Sequence, residues 1–458
     1  MKSGTKRVGT VLPMTALVST VAQAGTFAAG KIFIQWLAGT KQKAWQILPL
    51  HQTQLEKGSK SKHVPSPYKG YGVGLDPVFL GNNLQSLTPD FLARFEKQNT
   101  YWLKTYALFC ALRDHLGTDD WSSWPKAISR RDDGAIKEWE QKLKDPIAKH
   151  VLVQAQLFGA YQQLRKLAGN FDIALIGDFP FYLGLHSPLV WQYQHLFDLD
   201  QNGKPQRVSG VPSGIKSHFG RQVWGHPLYK WQDKTLWGQL DELFRIRIQY
   251  LAGLFDWIRF DHAKGLFAYG VIDVVHHSVD KYLNGPGSDF LDELIKFARR
   301  HKLHIYAEDT GEKLVALRHC LRAHRIPGIK ILRFAYNEKL KIFTKSYLLT
   351  DKYPVNTFAY TTTHDTETLV GYLSSLSLGE VAELATKMNI DSTNNIAELA
   401  TLIRQKVIDS PAKFVLVPLQ DWLLTSDRIN VPGTEKEVDD TNWQYKMSVA
   451  IEKLPRSI

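Results

Sequence analysis

Residues 256–262 read DWIRFDH, a short apolar run that ends on residues able to do chemistry, and seven other runs share its form. They are GTVLPM (9–14), AWQILPL (44–50), IALIGDFPF (173–181), HIYAEDT (304–310), GIKILRFAY (328–336), TFAYTTTHD (357–365) and FVLVPLQD (414–421). Stretches with helical periodicity separate them, such as LWGQLDELFRIRIQYLAGLF (236–255). Eight strands alternating with helices predict an α/β fold, a (β/α)8 TIM barrel whose strand C-termini face one active-site mouth. A doubly wound open sheet also alternates, but it does not call for eight runs of this kind.

Two spacings exceed an ordinary barrel loop. Residues 51–170 hold a loop, HQTQLEKGSKSKHVPSPYKGYG, and long helix-like stretches, and read as an inserted, mainly helical subdomain. Residues 182–231 are rich in Gly, Pro, His and aromatics with little helical periodicity, and read as a lid over the active site. No internal repeat or linker divides the rest, so 1–458 reads as a single catalytic barrel with insertions.

Composition narrows the class. The 458 residues are 44% hydrophobic and 22% charged, which excludes a disordered chain or a coiled coil. Net charge is +12, but the basic residues are scattered, and the densest run, KGSKSK, lacks interleaved aromatics. A nucleic-acid partner is therefore not expected. No window is long and apolar enough to cross a membrane. The N-terminus permits two readings: a leader, with basic MKSGTKR before an apolar stretch and Ala22-Gln23-Ala24, or a first strand over Arg7 to Leu12. Pro13 interrupts the apolar stretch and favours the strand. Two cysteines, Cys110 and Cys320, cannot build a disulfide scaffold; they read as buried small hydrophobes in a cytoplasmic protein.

Three of the runs end in a carboxylate: Asp261 after WIRF, Glu308 after HIYA and Asp365 after TTTH. Singly, each reads as an ion-pair or capping residue. Together, at the ends of candidate strands four, five and seven, they converge on one mouth. A nucleophilic carboxylate about 5–5.5 Å from a carboxylic acid is what retaining transfer at an acetal carbon requires. Arg259, two residues before Asp261, points to the same side of its strand, where its cation is expected to keep Asp261 ionised.

The ordered series IGDFPFYLGLHSPLVW, LFDLDQNGKP, GVPSG with QVWGHPLYKW, IRFDHAKG, AEDTG, IPGIKILRFAY, THDTET and NVPGT resembles the amylomaltases, the 4-α-glucanotransferases of glycoside hydrolase family 77. AWQILPL and SPYKGYG fit the same series, so the resemblance runs from about Gly9 to Trp443. It implies transfer of α-1,4-glucan segments between maltooligosaccharides. It implies Asp261 as nucleophile, Glu308 as general acid/base and Asp365 as the third, transition-state carboxylate. Arg259 and His364 match residues that position the nucleophile and bind sugar, and Asp178 matches a substrate-site residue. Gln222 and Trp224 match a lid over the glucan, and Ser66 and Tyr68 a glucan-contacting segment. An indole face such as that of Trp224 suits the apolar face of a pyranose.

The chain departs from the family pattern in several places. SGIKS stands where the lid usually reads PDYFS, so Gly214, Ile215 and Lys216 replace an acid and two aromatics. His226 replaces an Asn, Thr366 the Asn of HDN, Ala263-Lys264 a common Phe-Arg, and Pro65 an Asp before SPY. These changes bear on acceptor sites, while the three carboxylates are intact. An α-1,4-glucan hydrolase on the same barrel and an idle glucan-binding protein are the alternative readings. No cofactor or metal is expected: there is no nucleotide fingerprint and no Cys/His ligand spacing, and the adjacent His276-His277 do not share a helix face. Oligomeric state cannot be read from the sequence.

Overall fold

All eight runs fold as strands of one parallel sheet. In the computed structural model, which describes residues 5–457 apart from 83–86, 213–220, 276–279, 312–313, 338–340, 392, 394, 433 and 435–441, they are β1 (Arg7–Val11), β2 (Ala44–Gln46), β3 (Ala174–Phe179) and β4 (Trp257–Phe260). Then follow β5 (His304–Ala307), β6 (Gly328–Ile331), β7 (Thr357–Tyr360) and β8 (Phe414–Pro418). Their order in space is β5-β4-β3-β2-β1-β8-β7-β6. The Ala307 N–H donates to the Pro327 carbonyl at 2.9 Å and joins β5 to the start of β6, so the sheet closes into a barrel. The first-strand reading of the N-terminus holds, since Arg7–Val11 pairs with β2 on one side and β8 on the other.

Period-two alternation then builds the site. One face of the strands points inward, and its lower residues form an apolar plug that includes Ala174, Ile176, Trp257, Tyr306, Phe358 and Phe414. The rings of Tyr306 and Phe358 stack with centroids 3.7 Å apart, and those of Phe358 and Phe414 at 4.3 Å. Two residues further along the same face the character changes from apolar to charged: Ile176 leads to Asp178, Trp257 to Arg259 and Asp261, and Tyr306 to Glu308. A dry floor thus lies under a polar mouth. Between them the hydroxyls of Tyr306 and Tyr360 bond at 2.8 Å, and Tyr360 donates to Gln46 Oε1 at 3.0 Å.

Helices cover the outside: α1 (Phe27–Gly39), α2 (Lys144–Asn170), α3 (Trp237–Ala252), α4 (Ser288–Arg300), α5 (Val315–Ala323) and α6 (Ile396–Asp409). Gly30 of α1 lets it approach α2, since a Cβ there would sit 2.7 Å from Leu164. Residues 51–170 contain a hairpin of His51–Thr53 with Gly70–Leu75, followed by helices Pro89–Gln98, Thr100–Leu116 and Asp133–Lys142. They end in α2, which packs on α1 and against β3 and so also serves as a barrel helix. Residues 182–231 are less loop-like than their spacing suggests. Arg207–Val211 and Gln222–Pro227 are antiparallel strands, and with Ala268–Asp273 and Lys281–Asn284 they form a second sheet that spans the segments before and after β4. No helix of the described residues is long and apolar enough to cross a membrane.

Candidate active site

The strand ladder itself carries two of the three carboxylates. The Asp261 N–H donates to the Phe179 carbonyl at 3.1 Å and the Glu308 N–H to the Phe260 carbonyl at 3.1 Å, so each lies one rung beyond its strand, fixed by the neighbour's backbone. In register with them, Asp178 of β3 faces Arg259 of β4. The guanidinium is the hub. Its Nη2 lies 2.7 Å from Asp261 Oδ1 and 2.8 Å from Glu308 Oε2, while Nη1 lies 2.7 Å from Asp178 Oδ2 and 3.0 Å from the Tyr68 hydroxyl.

Asp365 approaches from the far side. Five residues past β7, it reaches the mouth on a loop whose threonines are fastened from β8: Thr361 and Thr362 donate to Asp421 Oδ2 at 2.5 and 2.6 Å. Asn430 Nδ2 donates to Asp365 Oδ1 at 2.7 Å. His364 Nε2 lies 3.1 Å from both Asp365 Oδ2 and the Tyr68 hydroxyl, which itself donates to Asp178 Oδ2 at 2.6 Å. One polar chain therefore links Asp365, His364, Tyr68, Asp178, Arg259, Asp261 and Glu308 around a cavity of about 490 Å³.

Two carboxylates that touch one guanidinium nitrogen at 2.7 and 2.8 Å, with a hydrogen bond between them, face one another at the close range a retaining pair needs. The family model described as 4-alpha-glucanotransferase, glycoside hydrolase family 77, matches residues 12–84 and 75–451. The chain belongs to this family. The 4-alpha-glucanotransferase of Aquifex aeolicus (strain VF5) is 29% identical over 461 residues, covering 91% of this chain and 90% of its own. The chloroplastic/amyloplastic enzyme of Solanum tuberosum is 30% identical, covering 92% of this chain and 79% of its own. In fold, the chain is similar to amylomaltase from Streptococcus agalactiae, solved in complex with acarbose, with a TM-score of 0.81 at 24% identity over 96% of this chain and 95% of that one.

Of the ten site residues expected from the family 77 motifs, Ser66, Tyr68, Gln222, Trp224, Arg259, Asp261, Glu308, His364 and Asp365 all line the one cavity. Asp178 does not. It is fully buried behind Arg259 and Tyr68, where it holds those two groups rather than facing the cavity. Gly214, Ile215 and Lys216 of the altered glucanotransferase lid, and His276-His277, lie outside the described residues.

Arg259 acts on Asp261 as the sequence leads one to expect, but it is shared with two other carboxylates. Burial pushes Asp261 well above the usual carboxylate range; Arg259 opposes this, and the charges of Asp178, Glu308 and Asp365 add to it. Glu308 is held at about 2: against burial act Arg259, the His262 N–H at 3.0 Å and a hydrogen bond with Asp261. The two carboxyls titrate as a pair, and their opposite shifts favour one proton held between them. Asp365 is likewise held at about 2, where His364 and Asn430 outweigh burial.

Several cavity residues were not singled out by the motifs. His262 follows Asp261 with φ +45°, a left-handed backbone that turns its N–H onto Glu308. Its ring meets the Trp224 indole edge-on at 4.8 Å, and burial lowers it to about 4, so it is neutral. Trp224 Nε1 in turn donates to Gln222 Oε1 at 2.7 Å. Asn430 opens the NVPGT motif and Trp443 ends the stretch over which the family resemblance runs, and that resemblance gave the only signal for them. Among the departures from the family pattern, Lys264 Nζ lies over the Tyr282 ring at 4.5 Å, His226 stacks on Tyr182 at 5.8 Å, and Thr366 accepts from the Thr363 N–H at 2.9 Å.

Proposed function

We propose that this chain transfers α-1,4-glucan segments between maltooligosaccharides by double displacement at Asp261, with Glu308 as general acid and base. The observation that carries the reading is the single Arg259 nitrogen in contact with both carboxylates, with Asp365 across the same cavity. A glucan whose bridging oxygen lies against Glu308 desolvates that carboxyl and draws the shared proton to it, and Arg259 then pairs with ionised Asp261. Asp261 forms the bond to the anomeric carbon while Glu308 gives its proton to the departing chain. In the second half a sugar hydroxyl replaces that chain, Glu308 takes its proton, and the ester to Asp261 breaks.

Asp365 stabilises the distorted sugar, a differential interaction that acts on rate rather than on ground-state binding. Gln222 and Trp224 cover the glucan as part of a lid within 182–231, and 51–170 contributes Ser66 and Tyr68 as an inserted subdomain. Transfer prevails over hydrolysis when an acceptor is held at the anomeric carbon and water is excluded. Incubation with maltotriose is expected to give a ladder of longer oligomers plus glucose; shorter sugars alone would mean hydrolysis. Glu308→Gln is expected to lose about 10²–10⁴-fold on glucans while a glycosyl fluoride still labels Asp261. Labelling elsewhere would contradict the assignment.

A further inference from the structure

Residues four apart on a helix lie one turn apart on the same face, so Cys320 in α5 and His324, which ends it, point the same way. The face they share is turned toward α4, whose second turn presents Asp292. His324 Nε2 lies 2.7 Å from Asp292 Oδ1, and the Cys320 thiol donates to the same oxygen at 3.2 Å. One ligand atom from each of the three lies within 4.8 Å of the others, the one such group of three found among the described residues. None of the three lines the catalytic cavity.

We propose that Asp292, Cys320 and His324 bind a borderline-soft divalent cation of the zinc class on the outer face of the barrel. Thiolate, imidazole and carboxylate are a zinc donor set, and three protein ligands leave the fourth tetrahedral position to water. Sulfur and nitrogen donors disfavour magnesium and calcium. Tetrahedral coordination at zinc bond lengths spaces ligand atoms by roughly 3.3–3.8 Å, so the two contacts to Asp292, at 2.7 and 3.2 Å, open slightly around the ion, and the Cys320 and His324 atoms already lie within 4.8 Å of each other. The Cys320 sulfur is buried, while the side chains of His324 and Asp292 remain 21% and 31% exposed, which gives the ion a way in. The other cysteine, Cys110, is buried and lies far from this set in the chain, on helix Thr100–Leu116.

Binding exchanges an S–H for an S–metal bond, and the thiol proton passes to the buffer. Burial and the hydrogen bond to Asp292 push that thiol up to about 12, so the ion must displace a well-held proton. The bound ion clamps α5 to α4. Because Arg318 of α5 holds Asp309 through its carboxylate at 3.0 Å and its carbonyl at 2.8 Å, the clamp reaches the residue beside Glu308. Sequence reading passed over the set because Cys320 and His324 supply two ligands and Asp292 arrives from another helix.

The test uses the full chain after chelator treatment and dialysis, titrated with cobalt(II) and then with zinc chloride. One cobalt per chain is expected, with a thiolate-to-cobalt charge-transfer band in the near ultraviolet that zinc abolishes. Cys320→Ser should lose the band, and Asp292→Asn and His324→Ala should weaken binding at least about tenfold, the scale on which loss of even a supporting group weakens metal sites. Retained glucan transfer shows that each variant is folded. A wild-type protein without the band, or a band that survives in Cys320→Ser, overturns the proposal.

Discussion

Asp261 and Glu308 are fixed by backbone, Asp365 by side chains, and the two halves of the mouth differ accordingly. On the β4–β5 side each carboxylate sits one rung past its strand, and its N–H continues the ladder at 3.1 Å. On the β7 side Asp365 depends on Asn430, His364 and the clamps at Asp421 and Glu367, the last gripped by Arg333 and Arg428 at 2.8 and 2.9 Å. Strand ends give position without asking for particular neighbours. A loop gives freedom to approach from across the barrel, but every degree of order must come from a named side chain.

The strand side is broken most severely through its hub. Arg259→Lys keeps one positive charge but loses the fork that reaches Asp178, Asp261 and Glu308 together. Unfolding by urea should show a loss of about 3–5 kcal/mol, the cost of leaving buried carboxylates partly unpaired. Transfer activity should fall by at least about 10²-fold as the nucleophile and acid lose their common partner. Wild-type stability in this variant would mean that the arginine serves chemistry alone.

The loop side should fail differently, in rate before stability. Asp365→Asn is expected to lower kcat by about 10²-fold or more with a smaller change in KM, because its charge acts on the distorted sugar. A loss confined to KM would contradict that role. Asn430→Ala leaves the carboxylate but removes one of its tethers, a hydrogen bond to a charged group worth about 1.5–3 kcal/mol. Its kcat should fall about tenfold, with a smaller loss of Tm than in Arg259→Lys. Equal losses in Tm for Arg259→Lys and Asn430→Ala would erase the distinction between backbone-held and side-chain-held halves.

The same distinction decides what could be read in advance. All eight barrel strands were legible because each is an apolar run closed by polar residues, and Arg259 with Asp261 followed from period two alone. The sharing of Arg259 was not legible: Asp178 and Glu308 reach it from neighbouring strands, and register is a property of the closed sheet. Nor was the second sheet. Its strands RVSGV and AYGVID carry glycines where they cross, and a Cβ on Gly270 would sit 2.0 Å from the Gly210 carbonyl oxygen. Close backbone approach therefore replaces the hydrophobic alternation that marks a strand. Asn430 sits beyond β8 in a segment without periodicity, so a motif, and no physical pattern, pointed to it.

The last expected effect falls on stability alone and separates the second sheet from the barrel floor on the pH axis. Glu308 and Asp365 are held at about 2 against ordinary carboxylate values of about 4. Their contribution to stability is whole above pH ~4 and is lost as pH falls toward 2. His226, on strand Gln222–Pro227 of the second sheet, is lowered by burial to about 4 from an ordinary value near 6.5. A depressed histidine stabilises the fold fully above its unfolded value and ceases to do so as pH falls through its folded one. This histidine thus weakens the protein between about pH 6.5 and 4, before the carboxylates do, by on the order of 3 kcal/mol at the acid end. His51 and His262 are lowered to about 4 as well, His186, His301 and His304 are also lowered, and Asp119, raised by burial to about 6, acts with the opposite sign, so the wild-type slope is a sum over many sites and only the difference between variant and wild type reports His226. His226→Asn, which can still donate to the Leu183 carbonyl now 3.2 Å from Nδ1, removes one of them without charging the pocket. Its fall in Tm from pH 7 to pH 4.5 should be shallower than that of the wild type, with the two curves parallel below pH 4, where the carboxylates take over. Curves that stay parallel from pH 7 downward would mean that His226 titrates freely and that strand Gln222–Pro227 opens to solvent.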